Sequence, residues 1–307
     1  MDWEWGRLAD RQKWGAFLFG ASEWVGSVDV RGLVGVGVFY TGLGSEPLLL
    51  ATPAALGIES SAEFPFTRPR PLFSLPGEVA ERLVPGEAPR NTLVMFVEPA
   101  QPLGAQDVGL TAEPRVISSR RGETGTLGPG LELDEYGPVF ATAGHLLPQV
   151  GSGVDLVSLS RIGQRREVRL GEVVFRSDPA DSGVPGYDIG LIEPDVGVRT
   201  DPSEVARLGQ EREAPYPATL LGGRSGIRHG FIQGALMAYS DGAGCTWKNS
   251  WMLMPGEIGA EGDSGAPVVG PDGRVIGIQV GGSRVVGARS FAVLYLHDLE
   301  AVIDECL

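Results

Sequence analysis

The sequence predicts an all-β protein built from antiparallel barrels. Short strand-like runs recur from Val25 to Tyr295, separated by turn residues, with no long helical pattern among them. Glycine (46) and proline (23) are abundant, as a chain of many tight turns requires. An apolar fraction of 42% and a charged fraction of 21% suit a folded chain with a core, and 307 residues suffice for two or three domains.

The elements follow in order. In residues 1–24, Trp3, Trp5, Leu8, Trp14, Phe17, Leu18 and Trp24 alternate with charged residues and no proline interrupts. This predicts one helix or two short ones, packed on a barrel or docking a partner through exposed tryptophan. Residues 25–111 form a β-rich domain. Strands are expected at 34–40 and 47–52, a loop-heavy stretch at 58–91, a strand at 91–97 and a linker at 98–111. Strands return at 126–128, 138–141, 154–159, 167–174 and 189–192. A second linker, 193–217, precedes strands at 218–221, 231–239, 250–254, 266–269, 275–280 and 290–295. Pro271-Asp272-Gly273 joins two of these as a hairpin. Leu296, Leu299, Val302, Ile303 and Cys306 stand at helical spacing and predict a C-terminal helix over 294–307, with His297 upon it.

A net charge of −14 argues against nucleic acid or an anionic membrane as partner. The basic clusters at 119–121 and 161–169 are expected to be solvated faces. No window is apolar enough to span a bilayer, and the first residues do not resemble a secretory signal. Two widely spaced cysteines, Cys245 and Cys306, suit a reducing compartment, so a cytoplasmic location is expected. No motif calls for a metal or cofactor.

Three motifs carry chemistry: Ala141-Thr142-Ala143-Gly144-His145, Tyr187-Asp188-Ile189-Gly190-Leu191-Ile192 and Gly262-Asp263-Ser264-Gly265-Ala266-Pro267-Val268. A serine hydroxyl becomes a competent nucleophile when an imidazole takes its proton. The imidazole needs a carboxylate to fix its tautomer. His145, Asp188 and Ser264 supply base, acid and nucleophile in that chain order. The glycines beside Ser264 let backbone N–H groups converge near its oxygen. Taken alone, each motif has a bland reading: a polar surface histidine, a turn aspartate, a Gly-flanked turn serine.

Residues 115–307 resemble the trypsin-like serine proteases, especially compact bacterial members. The likeness rests on these three motifs and on Gly223-Arg224-Ser225-Gly226-Ile227-Arg228-His229-Gly230, similar to the hairpin opening the family's second barrel. Gly144 stands where the family usually has alanine. The resemblance implies two antiparallel Greek-key β-barrels with the active site between them. It places a first barrel at 112–200, a second at 216–293 and the terminal helix after it. It further implies hydrolysis of peptide bonds through an acyl-enzyme, and an oxyanion hole from the amides of Gly262 and Ser264. Its specificity pocket falls on Ile258 as floor and Gln279, Gly281 and Gly282 as wall, which suits a neutral apolar side chain rather than Lys or Arg.

Residues 25–111 hold a faint echo of the first barrel, with Ala55 at the place of His145 and Leu93 at that of Asp188, or, on a rival placement, Asp107-Val108-Gly109-Leu110 in that second motif. They are either a degenerate copy of that barrel or an unrelated β-rich domain. The expected function is a serine endopeptidase acting on protein or peptide, regulated by a protein partner through residues 1–110. A catalytically silent, protease-like binding module and an esterase are the alternatives.

Overall fold

The computed structural model describes residues 11–26, 32–41, 44–57, 69–84, 86–99, 101–102, 116–118, 124–159, 165–183, 185–206, 215–241, 245–254, 259–284 and 291–306. It is an all-β molecule. Two sheets hold the described strands, one of 11 strands and one of seven.

The larger sheet contains a closed barrel. Strands Tyr216–Gly222, Pro267–Val269, Val275–Arg284, Phe291–Asp298, Thr246–Met254 and Gly226–Ser240 follow one another, and the last pairs back with the first. Closure leaves the barrel no free edge of its own over the paired residues. Leu220, Leu253, Val268, Ile278, Leu294 and Trp251 are buried in its cores. Each such side chain contributes about 1.5–3 kcal/mol through removal from water.

The seven-stranded antiparallel sheet runs Thr124–Thr126, Val116–Ser118, Gly153–Leu159, Arg165–Ser177, Ile189–Pro194, Gly137–Thr142, Gly130–Leu133. Its two outermost strands are consecutive in the chain, joined by residues 127–129, so the sheet curls back on itself. Val139, Ala141, Val173, Ile189 and Leu191 fill its interior. All of these lie on strands legible as apolar runs.

The N-terminal strands join the larger sheet. Leu33–Tyr40 pairs antiparallel with Gly226–Ser240, Ser45–Ala51 pairs with Leu33–Tyr40, and Leu93–Phe96 pairs parallel with Ser45–Ala51. Helix Arg11–Ser22 covers this extension, with Trp14, Leu18 and Ala21 buried in the same core as Leu33, Val36 and Leu49. Trp3 and Trp5 lie outside the described residues.

Strand Ser45–Ala51 leads into the 3₁₀ turn Ala54–Leu56, as strand Gly137–Thr142 leads into the 3₁₀ turn Gly144–Leu146. The pairing then departs. Leu93–Phe96 runs parallel to its neighbour, whereas Ile189–Pro194 runs antiparallel to Gly137–Thr142.

Three expectations need correction. Within the loop-heavy stretch a helix forms at Gly77–Leu83, with Glu78 in its first turn and Arg82 in its last, both suited to the helix dipole. The strand expected to end at 295 continues through His297 to Asp298, and the terminal helix is Leu299–Cys306. Within the linker at 98–111, Gln101–Pro102 pairs as a strand with Gly281 and Gly282.

Candidate active site

His145 sits in the 3₁₀ turn Gly144–Leu146 at the end of strand Gly137–Thr142. The turn needs glycine at 144. A Cβ there would fall 2.1 Å from the Ser177 carbonyl oxygen and 2.8 Å from that of Ile189. This close approach is the reason alanine does not stand at 144. Arg176 holds the turn from outside: its Nε donates to the Gly144 carbonyl at 2.9 Å, and its guanidinium pairs with Asp178 and Asp181.

Asp188 precedes strand Ile189–Pro194 and is fully buried. Its Oδ2 accepts from His145 Nδ1 at 2.6 Å and its Oδ1 accepts from the His145 backbone N–H at 2.7 Å. The two-point contact fixes both the ring and the turn that carries it. It also fixes the tautomer, because Nδ1 carries the proton and Nε2 is left to act as base. Burial alone would raise the Asp188 carboxyl. The His145 charge beside it and the hydrogen bonds from the His145 ring and amide outweigh burial, and hold it below the ordinary carboxylate value of 3.8.

His297 stands behind this pair, a placement the sequence did not reveal because its neighbours share helical spacing. It is fully buried. Its Nε2 accepts from the Asp188 backbone N–H at 2.9 Å, and its Nδ1 lies 3.2 Å from Ser250 Oγ. The Tyr187 ring meets it edge-on at 5.2 Å. His297 therefore secures the backbone of Asp188 as His145 engages its side chain. His229, by contrast, is exposed and pairs with Thr219 Oγ1 at 3.0 Å.

Ser264 lies in the turn between the described residue Gly259 and strand Pro267–Val269, with no exposed surface. Gly262 and Gly265 adopt φ of +101° and +88°, a region open to glycine at little cost. The turn is anchored through backbone. Thr126 N–H donates to the Ser264 carbonyl at 2.7 Å, Thr126 Oγ1 donates to the Gly262 carbonyl at 2.8 Å, and Gly265 N–H donates to the Gln279 carbonyl at 2.7 Å. Ser264 Oγ donates to the Val280 carbonyl at 3.3 Å.

The buried Asp263 carboxylate holds the same turn to the Gly222–Gly226 hairpin. Its Oδ1 accepts from the N–H groups of Arg224 (2.9 Å) and Ser225 (3.0 Å), and its Oδ2 from Ala260 N–H (2.8 Å). Gly265 meets the histidine side directly: a Cβ on it would lie 2.1 Å from Thr142 Oγ1 and 3.3 Å from Ala143 N. The Ser264 turn is thus packed on the strand end that delivers His145. Thr126, which bridges the two, is legible in the sequence as a strand residue and not as part of the site.

Of the expected pocket residues, Gln279, Gly281 and Gly282 line the strand beside Ser264. Gln279 is buried, with Nε2 donating to the Gly281 carbonyl at 3.0 Å. Ile258 lies outside the described residues. Among the described residues no group of His, Cys, Asp and Glu is arranged to hold a metal ion. No described helix is long and apolar enough to cross a membrane.

Chemically, the arrangement offers a base aligned by a carboxylate, a buried hydroxyl on an adjoining turn, and glycine-permitted backbone at that turn. Solved structures similar to this chain include the Nocardiopsis protease NAPase, at 17% identity, covering 65% of this chain and 94% of that one with a TM-score of 0.43. The Rv3671c protease from M. tuberculosis in its active form is similar at 16% identity, covering 63% and 79% with a TM-score of 0.42. Deg5 is similar at 14% identity, covering 62% and 86% with a TM-score of 0.39. No family model and no curated protein matches the chain.

Proposed function

We propose that the chain is a serine endopeptidase that hydrolyses peptide bonds through an acyl-enzyme. The observation that carries this reading is the double contact of Asp188 with His145, at 2.6 Å and 2.7 Å, beside a Gly-Asp-Ser-Gly turn. Ser264 Oγ attacks the peptide carbonyl and His145 Nε2 takes its proton, later returning it to the leaving amine. Asp188 stabilises the imidazolium that forms between these steps. The amides of Gly262 and Ser264 receive the oxyanion, each worth about 3 kcal/mol in the transition state.

Gln279, Gly281 and Gly282, with Ile258, form the specificity pocket and take a neutral apolar side chain. Cleavage after Ala, Val or Leu then exceeds cleavage after Arg or Lys, and Ile258→Asp reverses the order. The chain works in a reducing compartment. Support comes from its two free cysteines, with burial foremost in pushing the Cys245 thiol up to about 12. No cofactor takes part.

One observation favours the second reading, a catalytically silent protease-like module: Ser264 has no exposed surface and its hydroxyl is given to Val280. A small fluorophosphonate probe separates the two. Labelling at Ser264 that vanishes in Ser264→Ala supports the enzyme, and a full chain that resists the probe supports the silent module.

A further inference from the structure

The strand Val275–Arg284 has two sides, one covered from Gly277 to Arg284 by Phe291–Asp298. On the other, Pro267–Val269 pairs only as far as Ile278, and the last bonds on that side join Gln279 to the serine turn, its N–H to the Ala266 carbonyl at 2.9 Å and its carbonyl to the Gly265 N–H at 2.7 Å. From Val280 onward that side is a strand edge. It begins at the carbonyl that accepts the Ser264 hydroxyl. An extended peptide that adds to this edge passes directly beside Ser264, with backbone hydrogen bonds giving affinity.

The chain fills that edge with its own residues. Gln101 pairs with Gly282 and Pro102 with Gly281, antiparallel, and Glu98 N–H donates to the Arg284 carbonyl at 2.9 Å. Gly281 presents no side chain against the added strand: a Cβ there would fall 3.1 Å from the Gln101 carbonyl oxygen. The glycines that allow a peptide to lie flat on this edge are thus already covered by the segment leading out of the N-terminal strands. Gln101 itself is exposed, so the segment lies over the edge rather than in a core.

We propose that Glu98, Gln101 and Pro102 are an internal occupant of the edge that receives substrate, and that a peptide must displace them to reach Ser264. This rests on the reading of Ser264 as the nucleophile. Of the occupant's described side chains, Glu98 and Pro99 are half-buried and Gln101 is exposed, so it lowers apparent affinity without blocking turnover. The cost appears as a raised KM, in inverse proportion to the fraction of molecules in which the edge is free.

The test compares the full chain with a variant in which Glu98→Gly, Pro99→Ser, Gln101→Gly and Pro102→Ser loosen the strand at unchanged length. On an extended peptide substrate the variant is expected to show KM lowered about tenfold with kcat unchanged. A capped synthetic peptide of residues 98–102 should then inhibit the variant competitively and more strongly than it inhibits the wild type. Equal KM in both forms, with the fluorophosphonate probe labelling Ser264 in each, overturns the proposal. Absence of labelling in the wild type removes instead the assignment of Ser264, and this proposal with it. A second measurement needs no variant. In the wild-type chain, a tripeptidyl aldehyde bound at Ser264 should speed amide hydrogen exchange at residues 98–101. Bound aldehyde with unchanged exchange there refutes the displacement.

Discussion

The proposed base side and the proposed nucleophile side of the site are fixed by different balances of bond. On the seven-stranded sheet, His145 and Asp188 are held by side chains: a carboxylate bonded twice to one residue, a buried imidazole behind it and a guanidinium capping the turn. On the closed barrel, the Ser264 turn is held by backbone bonds with Thr126 and Gln279, by the Thr126 hydroxyl and by the Asp263 carboxylate, which accepts from the N–H groups of Arg224, Ser225 and Ala260. The first side is therefore sensitive to changes of tautomer, and the second, with Gly262 and Gly265 at positive φ, to changes of backbone freedom.

The largest effect tests whether the two sides form one machine. Ser264→Ala and His145→Ala should each lower kcat on a peptide ester by about 10⁴-fold or more, and the double variant should lose little further, because residues of one unit are not additive. Additive losses in the double variant would separate the two sides.

Asp188→Asn attacks the base side through its tautomer and should cost about 10³–10⁴-fold in kcat at neutral pH. The same residue gives a pH signature. Its folded carboxyl lies below the ordinary 3.8, so its contribution to stability is full above that value and is lost as pH falls through the depressed folded value. Urea denaturation of wild type should show stability falling below about pH 4 in a part that Asp188→Asn lacks.

Gly265→Ala attacks the nucleophile side without touching charge. The added methyl meets Thr142 Oγ1 at 2.1 Å and the Thr126 carbonyl at 2.3 Å, at a φ of +88°. The expected loss is about 3 kcal/mol of unfolding free energy, read from denaturant midpoints. Thr126→Val is the mildest change. It removes the hydroxyl that donates to the Gly262 carbonyl and accepts from Gly223 N–H at 2.9 Å. A cost of about 1–3 kcal/mol is expected, with KM for a small ester little changed.

Much of this was legible in the chain. Strands 137–142, 189–194 and 275–284 are apolar runs bounded by turns, and the three motifs mark the strand ends and the turn where His145, Asp188 and Ser264 stand. What escaped has a physical reason in each case. Gln101–Pro102 has no strand propensity of its own and is ordered by its partner's edge. Helix Gly77–Leu83 is too short, between Pro76 and Pro85, to show a period. His297 follows Leu296 and precedes Leu299, whose spacing mimics a helix start, yet pairing with Ser250 and Ile278 carries the strand past it. The joining of Leu33–Tyr40 to Gly226–Ser240 is a contact between segments nearly two hundred residues apart, and no local pattern encodes a strand's choice of partner.

That joining has a consequence for anyone handling the molecule. From Gly234 to Tyr239, one side of the long barrel strand is hydrogen-bonded to residues 35–39. A chain begun at residue 112 would leave that row of N–H and C=O groups bare, next to buried Leu236 and Ala235. An open, apolar strand edge of this kind recruits other copies of itself. The N-terminal strands thus cover that edge of the barrel strand, whatever else they do. A shortened chain that clumps would report the loss of this cover and say nothing of catalysis.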